Sequence, residues 1–186
     1  QGAALRLSGD LAAAKLAQTR SIERVLKVRG GKVASAVWLH AGALVELASL
    51  AEAGNDLTGA RKQLDDAIAL YRTNYPGSPA LFGAQARLAA LLARAGSKDE
   101  ARTLFRDTVK ASAGNAGVSA NVRGYLGTYF DLLAADSGGA ADFFTASQLL
   151  VRPGVAQTQA VFARELSGGS DEAARLFRLS LNQSRD

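Results

Sequence analysis

Helix-breaking residues divide the chain into segments of similar length, and this spacing constrains the fold more than any other feature. The breakers are glycines, prolines and a Gly-Asn pair at 30–31, 54–55, 76–79, 96, 114–117, 138–139, 153–154 and 168–169. The segments between them run about 12 to 22 residues and place alanine and leucine at helical spacing. Since the chain contains 38 Ala and 26 Leu, both strong helix formers, we predict an all-α fold.

The breaker spacing predicts nine helices with short connections. Because a short connection brings the next helix back alongside the one before it, we expect neighbouring helices to pack antiparallel. Ser97 and Glu100 form a Ser-x-x-Glu pattern, which is typical of a capping box at a helix start. The predicted helices span 8–28, 32–53, 56–73, 79–95, 98–112, 118–135, 139–150, 155–167 and 170–184.

A recurring motif indicates internal repeats. Residues 99–106 read DEARTLFR and residues 171–178 read DEAARLFR, an offset of 72 residues. Weaker copies lie upstream of the first motif and between the two motifs. The alanines that anchor the four copies are 41, 39 and 33 residues apart, at Ala60, Ala101, Ala140 and Ala173. This spacing is the length of a helix–turn–helix repeat.

The copies resemble the tetratricopeptide repeat, whose pattern has a Leu-Ala pair, a turn glycine, an alanine, an aromatic residue and a second small residue. One copy fills these positions with Leu88, Ala89, Gly96, Ala101, Phe105 and Thr108. An upstream copy fills them with Leu47, Ala48, Asn55, Ala60, Leu64 and Ala67. The third copy is degenerate, with Gly127 and Thr128 in place of the Leu-Ala pair.

Each position of the pattern has a steric reason. Small residues let helix backbones approach closely, the turn residue must tolerate a positive φ, and the aromatic ring fills the gap to the next hairpin. The resemblance implies a right-handed α-solenoid of antiparallel hairpins in a single domain over 1–186. It would have a leading helix at 8–28 and hairpins at about 32–73, 79–112, 118–150 and 155–184. Because Met is absent, we expect the chain to be a fragment of a longer protein.

The C-terminal part carries a narrower resemblance. Residues 153–166, PGVAQTQAVFAREL, precede the helix that contains the second motif. This arrangement is similar to the segment before the peptidase domain in bacterial proteins that join tetratricopeptide repeats to a CHAT domain. CHAT domains are caspase-like cysteine peptidases, which need a His and a Cys. The resemblance implies that any such domain lies beyond Asp186, and no catalytic residue carries over to this chain.

Composition excludes most catalytic machinery. The chain has no Cys and one His, His40, so it holds no thiolate metal site, no cysteine nucleophile and no site that needs two imidazoles. The acidic pairs at 99–100 and 171–172 open helices, where they favour the helix dipole. We therefore predict no catalytic residue, metal or cofactor in this chain.

Charge and hydropathy limit the partners. The net charge of +5 comes from 22 basic and 17 acidic residues scattered along the chain, without the block typical of a nucleic-acid arm. The apolar runs are shorter than the roughly 20 residues of a membrane span. We expect neither a nucleic-acid nor a membrane partner. A cytoplasmic location is favoured, and an exported parent stays open because the native N-terminus is expected to be missing.

The repeat register places a concave groove along the first helix of each hairpin. The predicted groove residues are Val45, Ser49 and Glu52, then Ala86, Ala90 and Arg94, then Val122, Tyr125, Tyr129 and Leu133, then Thr158, Phe162 and Glu165. Aromatic side chains with one polar end anchor peptides well, and Arg94 or Arg123 can bind an acidic group. The candidate partner-binding residues are thus Trp38, Arg94, Tyr125, Tyr129 and Phe162. In the alternative interpretation these aromatic residues close the core.

The sequence therefore predicts a protein-interaction scaffold that binds a peptide, a helix or a neighbouring domain of its parent chain. One alternative is a regulatory or substrate-docking region of a caspase-like peptidase. Another is electrostatic binding of nucleic acid, which would weaken steeply with salt.

Overall fold

The computed structural model describes residues 2–112, 121–136 and 138–150. The predicted helices at 155–167 and 170–184 lie outside the described residues. So do Phe162, the second copy of the motif and the segment that resembles the CHAT-linked proteins.

The described residues are helical and contain no β-strand, which confirms the all-α prediction for this part of the chain. Residues 29–31 form a short 3-10 turn, and residues 121–123 are also helical. The longer helices are α1 (Gly2–Leu7), α2 (Leu11–Lys27), α3 (Ala34–Ala53), α4 (Leu57–Asn74), α5 (Pro79–Arg94), α6 (Lys98–Ser112), α7 (Leu126–Ala134) and α8 (Ala140–Gln148).

Two predicted helices are interrupted. The leading helix predicted at 8–28 begins at Leu11 instead, because Gly9 has a φ of +89° and the Asp10 carboxylate accepts a hydrogen bond from the Ala13 amide at 2.9 Å. The helix predicted at 118–135 is broken by a turn at Gly124 and Tyr125. Glycine weakens a helix interior, and α7 starts only after this turn.

The predicted turn residues Asn55 and Gly96 adopt the expected backbone conformation. Gly96 has a φ of +88° and Asn55 a φ of +58°, the left-handed region that the repeat pattern requires between paired helices. Glycine and asparagine are the residues that reach this region at least cost. Both short connections, α3 to α4 and α5 to α6, are therefore confirmed in their local conformation.

The predicted capping box at Ser97 and Glu100 does not form. The Ser97 amide donates to the Leu92 carbonyl at 2.9 Å, and the Glu100 carboxylate accepts two hydrogen bonds from Arg61, at 2.6 and 3.2 Å. A guanidinium is the stronger partner for a carboxylate, so a contact between helices replaces the local cap.

Each helix from α2 to α6 packs against the next one along the chain, and α7 contacts α5, α6 and α8. α3 is long and apolar enough to span a membrane. It packs between α2 and α4, which is the environment of a core helix.

Burial in α4 and α6 repeats with a shift of 41 residues. Ala60 corresponds to Ala101, Leu64 to Phe105, Ala67 to Thr108, Ile68 to Val109 and Tyr71 to Ser112, and all ten side chains are buried. The anchoring alanines and the plugging residues of these two copies are therefore in the core, as predicted.

The predicted register of the third copy is wrong. Ala140 is exposed and Phe144 is 67% exposed, whereas Ala146 and Leu149 are buried. The shift of 41 residues continues here, since Phe105 corresponds to Ala146 and Thr108 to Leu149. α8 approaches α7 through Gly139, where a Cβ atom would meet the Leu133 carbonyl at 2.7 Å. A helix that packs through 139, 146 and 149 turns residue 144 away from the core.

Candidate interaction surface

A cavity of about 360 Å³ lies between α3, α5 and the start of the third repeat. Small residues open it, because Gly42, Gly83 and Ala84 leave the space that larger side chains would fill. A Cβ atom on Gly83 would lie only 3.1 Å from the Cβ atom of Asn121. The cavity is lined by Gly42, Val45, Glu46, Tyr71, Ala80, Gly83, Ala84, Arg87, Asn121 and Tyr125.

The two glycines that line this cavity are separated by the repeat interval. Gly42 and Gly83 are 41 residues apart, and Gly124 follows at the same interval beside Tyr125. The predicted groove included Val45 and Tyr125 but missed these glycines. Their spacing in the sequence was the signal that would have identified them, since a glycine inside a helix usually marks a close approach or a binding surface.

Tyr125, one of the predicted groove residues, is half-buried and lines this cavity. It lies at the turn before α7, and its side chain packs against the edge of the hydrophobic core. A partly exposed tyrosine offers apolar area at low entropic cost together with a hydroxyl for hydrogen bonding. Tyr125 is therefore suited to anchor a bound chain.

An ion-pair network joins α3 to α5 along the same side. Arg87 Nε donates to Glu52 Oε1 at 2.8 Å, and Arg94 donates to Glu52 Oε2. The side chains of Glu52 and Arg87 are 14% and 19% exposed, whereas Arg94 is 53% exposed. One carboxylate thus holds two guanidinium groups, and the network keeps one positive charge that Glu52 does not neutralise.

Arg94 also lines a second cavity of about 360 Å³, between α5, α6 and α7. Arg94, Lys98 and Arg102 supply three positive charges there, against the negative charge of Asp131. Arg102 already contacts Asp99 at 3.0 Å and Asp136 at 3.6 Å. The cavity is lined by Ala93, Arg94, Lys98, Arg102, Thr128, Asp131, Leu132 and Ala135. Arg94 thus belongs both to the Glu52 network and to this second cavity.

Tyr129 lies in the core, which corrects the expectation that its ring lines the groove. It is 1% exposed, and burial, followed by the charge of Asp142, raises its pKa to about 12. With a shift of 41 residues, Tyr129 is the equivalent of Leu88, which is buried in the preceding repeat. The Leu-Ala positions of the third copy are therefore Tyr129 and Phe130. The sequence prediction places them two residues earlier, at Gly127 and Thr128.

Trp38 belongs to an aromatic cluster on α3 and α4 and lines neither cavity. Its ring meets Tyr71 and Tyr75 edge to face, with centroids 5.3 and 5.0 Å apart. The residue is nevertheless 41% exposed. Trp38 therefore combines packing between two helices with an open face.

Among the described residues no group of three His, Asp or Glu side chains is arranged to hold a metal ion. Compared with known proteins, the sequence matches no family model and no curated protein sequence.

Proposed function

We propose that this chain is a protein-interaction scaffold, built as a right-handed α-solenoid of antiparallel, tetratricopeptide-like hairpins. Its partner is an extended peptide, a helix or a neighbouring domain, bound along α3, α5 and the segment 121–134. The observation that carries the proposal is the cavity that α3, α5 and residues 121–125 share, in which Gly42 and Gly83 occupy the same position 41 residues apart. A surface that recurs with the repeat suits a ligand that runs along the array.

The chemistry of the surface indicates which ligand it would take. Tyr125 offers an aromatic contact in the first cavity, and Arg87 lies beside it. The second cavity adds Arg94, Lys98 and Arg102. A peptide with an apolar side chain followed by acidic residues would match this order. The apolar group would contact Tyr125, and the carboxylates would compete for Arg94, Lys98 and Arg102 with the acidic residues of the protein.

The proposal can be tested by selecting peptides from a random library against the full chain and measuring the affinity of the selected sequences by fluorescence anisotropy. Tyr125→Ala should weaken binding by about tenfold or more, since an anchor residue contributes most of the affinity. Circular dichroism and thermal unfolding should stay close to those of the wild type.

Thr103→Ala is a matched control, because Thr103 lies in a different cleft between α4, α5 and α6. It should leave peptide affinity unchanged. If Tyr125→Ala and Thr103→Ala weaken binding equally, this surface is not the binding site. The same conclusion follows if the selected peptides lack acidic residues and bind the Arg94→Gln variant as tightly as the wild type.

A role beside a caspase-like peptidase in the parent chain stays a prediction of the C-terminal resemblance. It would use the same surface, with the peptidase domain or its substrate as the bound partner.

A further inference from the structure

The net positive charge of the protein is concentrated in α2 and the turn that follows it. Residues 11–32 contain six basic residues and one acidic residue, Glu23, which leaves 16 of the 22 basic and 16 of the 17 acidic residues for the rest of the chain. The remainder is therefore neutral as a whole. The basic residues are Lys15, Arg20, Arg24, Lys27, Arg29 and Lys32.

All six basic side chains belong to exposed residues. Within the described residues the ion pairs involve other cations, namely Arg6, Arg61, Lys62, Arg87, Arg94, Arg102 and Arg106. The charge of α2 is therefore not neutralised by other parts of the described protein. Such a field attracts an anionic partner.

Apolar side chains of α1, α2 and the turn that follows are exposed as well. Leu7 at the end of α1 is 79% exposed, Leu16 on α2 is 51% exposed, and Leu26 and Val28 are 44% and 54% exposed. At about 100° per residue, Lys15, Leu16, Arg20, Leu26 and Lys27 lie within about 80° of the direction opposite to the buried Ala14. The one acidic residue of α2, Glu23, lies among them. Basic and apolar groups therefore share the outer face of α2.

A cleft of about 520 Å³ lies beside this face, between α1 and α2. Its lining combines the apolar side chains of Leu5, Leu16 and Val25 with the basic side chains of Arg20 and Arg24. An anionic headgroup over an acyl chain has the same arrangement of charge and apolar surface.

We propose that the outer face of α1 and α2 binds the surface of an anionic lipid bilayer. The cations would pair with lipid phosphates, and Leu7, Leu16 and Val28 would enter the boundary between headgroups and acyl chains. Nucleic acid fits this face less well, because residues 2–32 contain no aromatic side chain to stack on bases and the exposed leucines would meet a hydrated backbone. This binding is peripheral and uses a different surface from the peptide cavity.

Co-sedimentation of the full chain with vesicles tests the proposal. The protein should bind phosphatidylcholine vesicles that contain about 30% phosphatidylglycerol and should not bind phosphatidylcholine alone. The triple variant Arg20→Gln, Arg24→Gln, Lys27→Gln should lower the partition coefficient about 100-fold at low salt. Leu7→Ser with Leu16→Ser should lower it about tenfold, and both side chains are exposed enough for the fold to persist.

A control variant of equal net charge is Lys62→Gln, Arg72→Gln, Lys110→Gln, whose exposed side chains lie on α4 and α6. It should retain most of the binding to anionic vesicles. Equal losses in the two triple variants would overturn the proposal, as would absence of binding at low salt. The face is a nucleic-acid site instead if two results occur together. The leucine variant would bind vesicles like the wild type, and a DNA duplex would bind the wild type but not the α2 triple variant.

Discussion

The rings of Phe105 and Tyr129 stack with their centroids 5.0 Å apart and their planes inclined by 21°. Phe105 is 0% and Tyr129 is 1% exposed, so the contact lies fully inside the protein. It joins α6 to α7 and thereby connects the second helix of one repeat to the first helix of the next. Phe105 therefore fills the space between α6 and α7.

Removing either ring should destabilise the protein. Phe105→Ala and Tyr129→Ala are each expected to lower the free energy of unfolding by about 3–5 kcal/mol, because a large buried side chain leaves a cavity. Urea unfolding followed by circular dichroism measures this. Phe144→Ala removes a ring that is 67% exposed and should change stability by less than about 1 kcal/mol. A similar loss in all three variants would contradict the burial of the stacked pair.

Alkaline pH should destabilise the protein through Tyr129. Burial raises its pKa to about 12 in the folded protein, against about 10 for an exposed tyrosine. As pH rises from 10 to 12 the unfolded chain loses this proton first, so the unfolded state becomes favoured. The contribution is fully present below pH 10 and its loss reaches at most about 2–3 kcal/mol above pH 12.

Tyr129→Phe isolates this contribution. Its free energy of unfolding should fall less between about pH 9 and pH 11.5 than that of the wild type. Burial also raises the pKa of Tyr71, so some alkaline destabilisation should persist in the variant. If the stability of the two proteins depended on pH in the same way, the pKa of Tyr129 would not be raised in the folded protein.

Glu52 should matter more for stability than an exposed carboxylate. Glu52→Gln leaves the guanidinium groups of Arg87 and Arg94 close together without their shared negative charge, and Arg87 is only 19% exposed. We expect a loss of about 1–3 kcal/mol in thermal or urea unfolding.

The matched control is Asp66→Asn, which removes the partner of Lys62 at 2.8 Å. Because both side chains of that pair are at least half exposed, solvent screens it and the loss should stay below about 0.5 kcal/mol. Equal effects at the two sites would mean that the Glu52 network is screened as well.

Two glycine substitutions should have opposite signs. Gly96 has a φ of +88° and no atom within 4 Å of a Cβ position, so Gly96→Ala costs only backbone strain, about 1 kcal/mol. Gly127 is the second residue of α7 and has equally open space and no positive φ. Gly127→Ala should therefore stabilise the protein, by about 0.5 kcal/mol because the site lies in the first turn of the helix. Differential scanning calorimetry measures both changes in stability. Two changes of the same sign would contradict the backbone conformation described at one of the two glycines.

Prediction from the sequence was accurate where local features decide the structure. The bounds of α3, α4, α5 and α6 fall within two residues of those expected. The break before α2 was missed, although Gly9 and Asp10 are a local turn and cap signal. The third repeat was misplaced by two residues because its Leu-Ala pair is replaced by Tyr129 and Phe130.

The sequence alone thus determined helices α3 to α6, the left-handed turns at Asn55 and Gly96 and the equivalence of Ala60 and Ala101, because helix propensity and φ preference act within a few residues of the chain. Only the tertiary structure decided that Tyr129 is core, that Phe144 is exposed and that Glu100 pairs with Arg61 instead of capping its own helix. These outcomes depend on which face of a helix meets its neighbour, and that face is chosen by contacts between residues far apart in the chain.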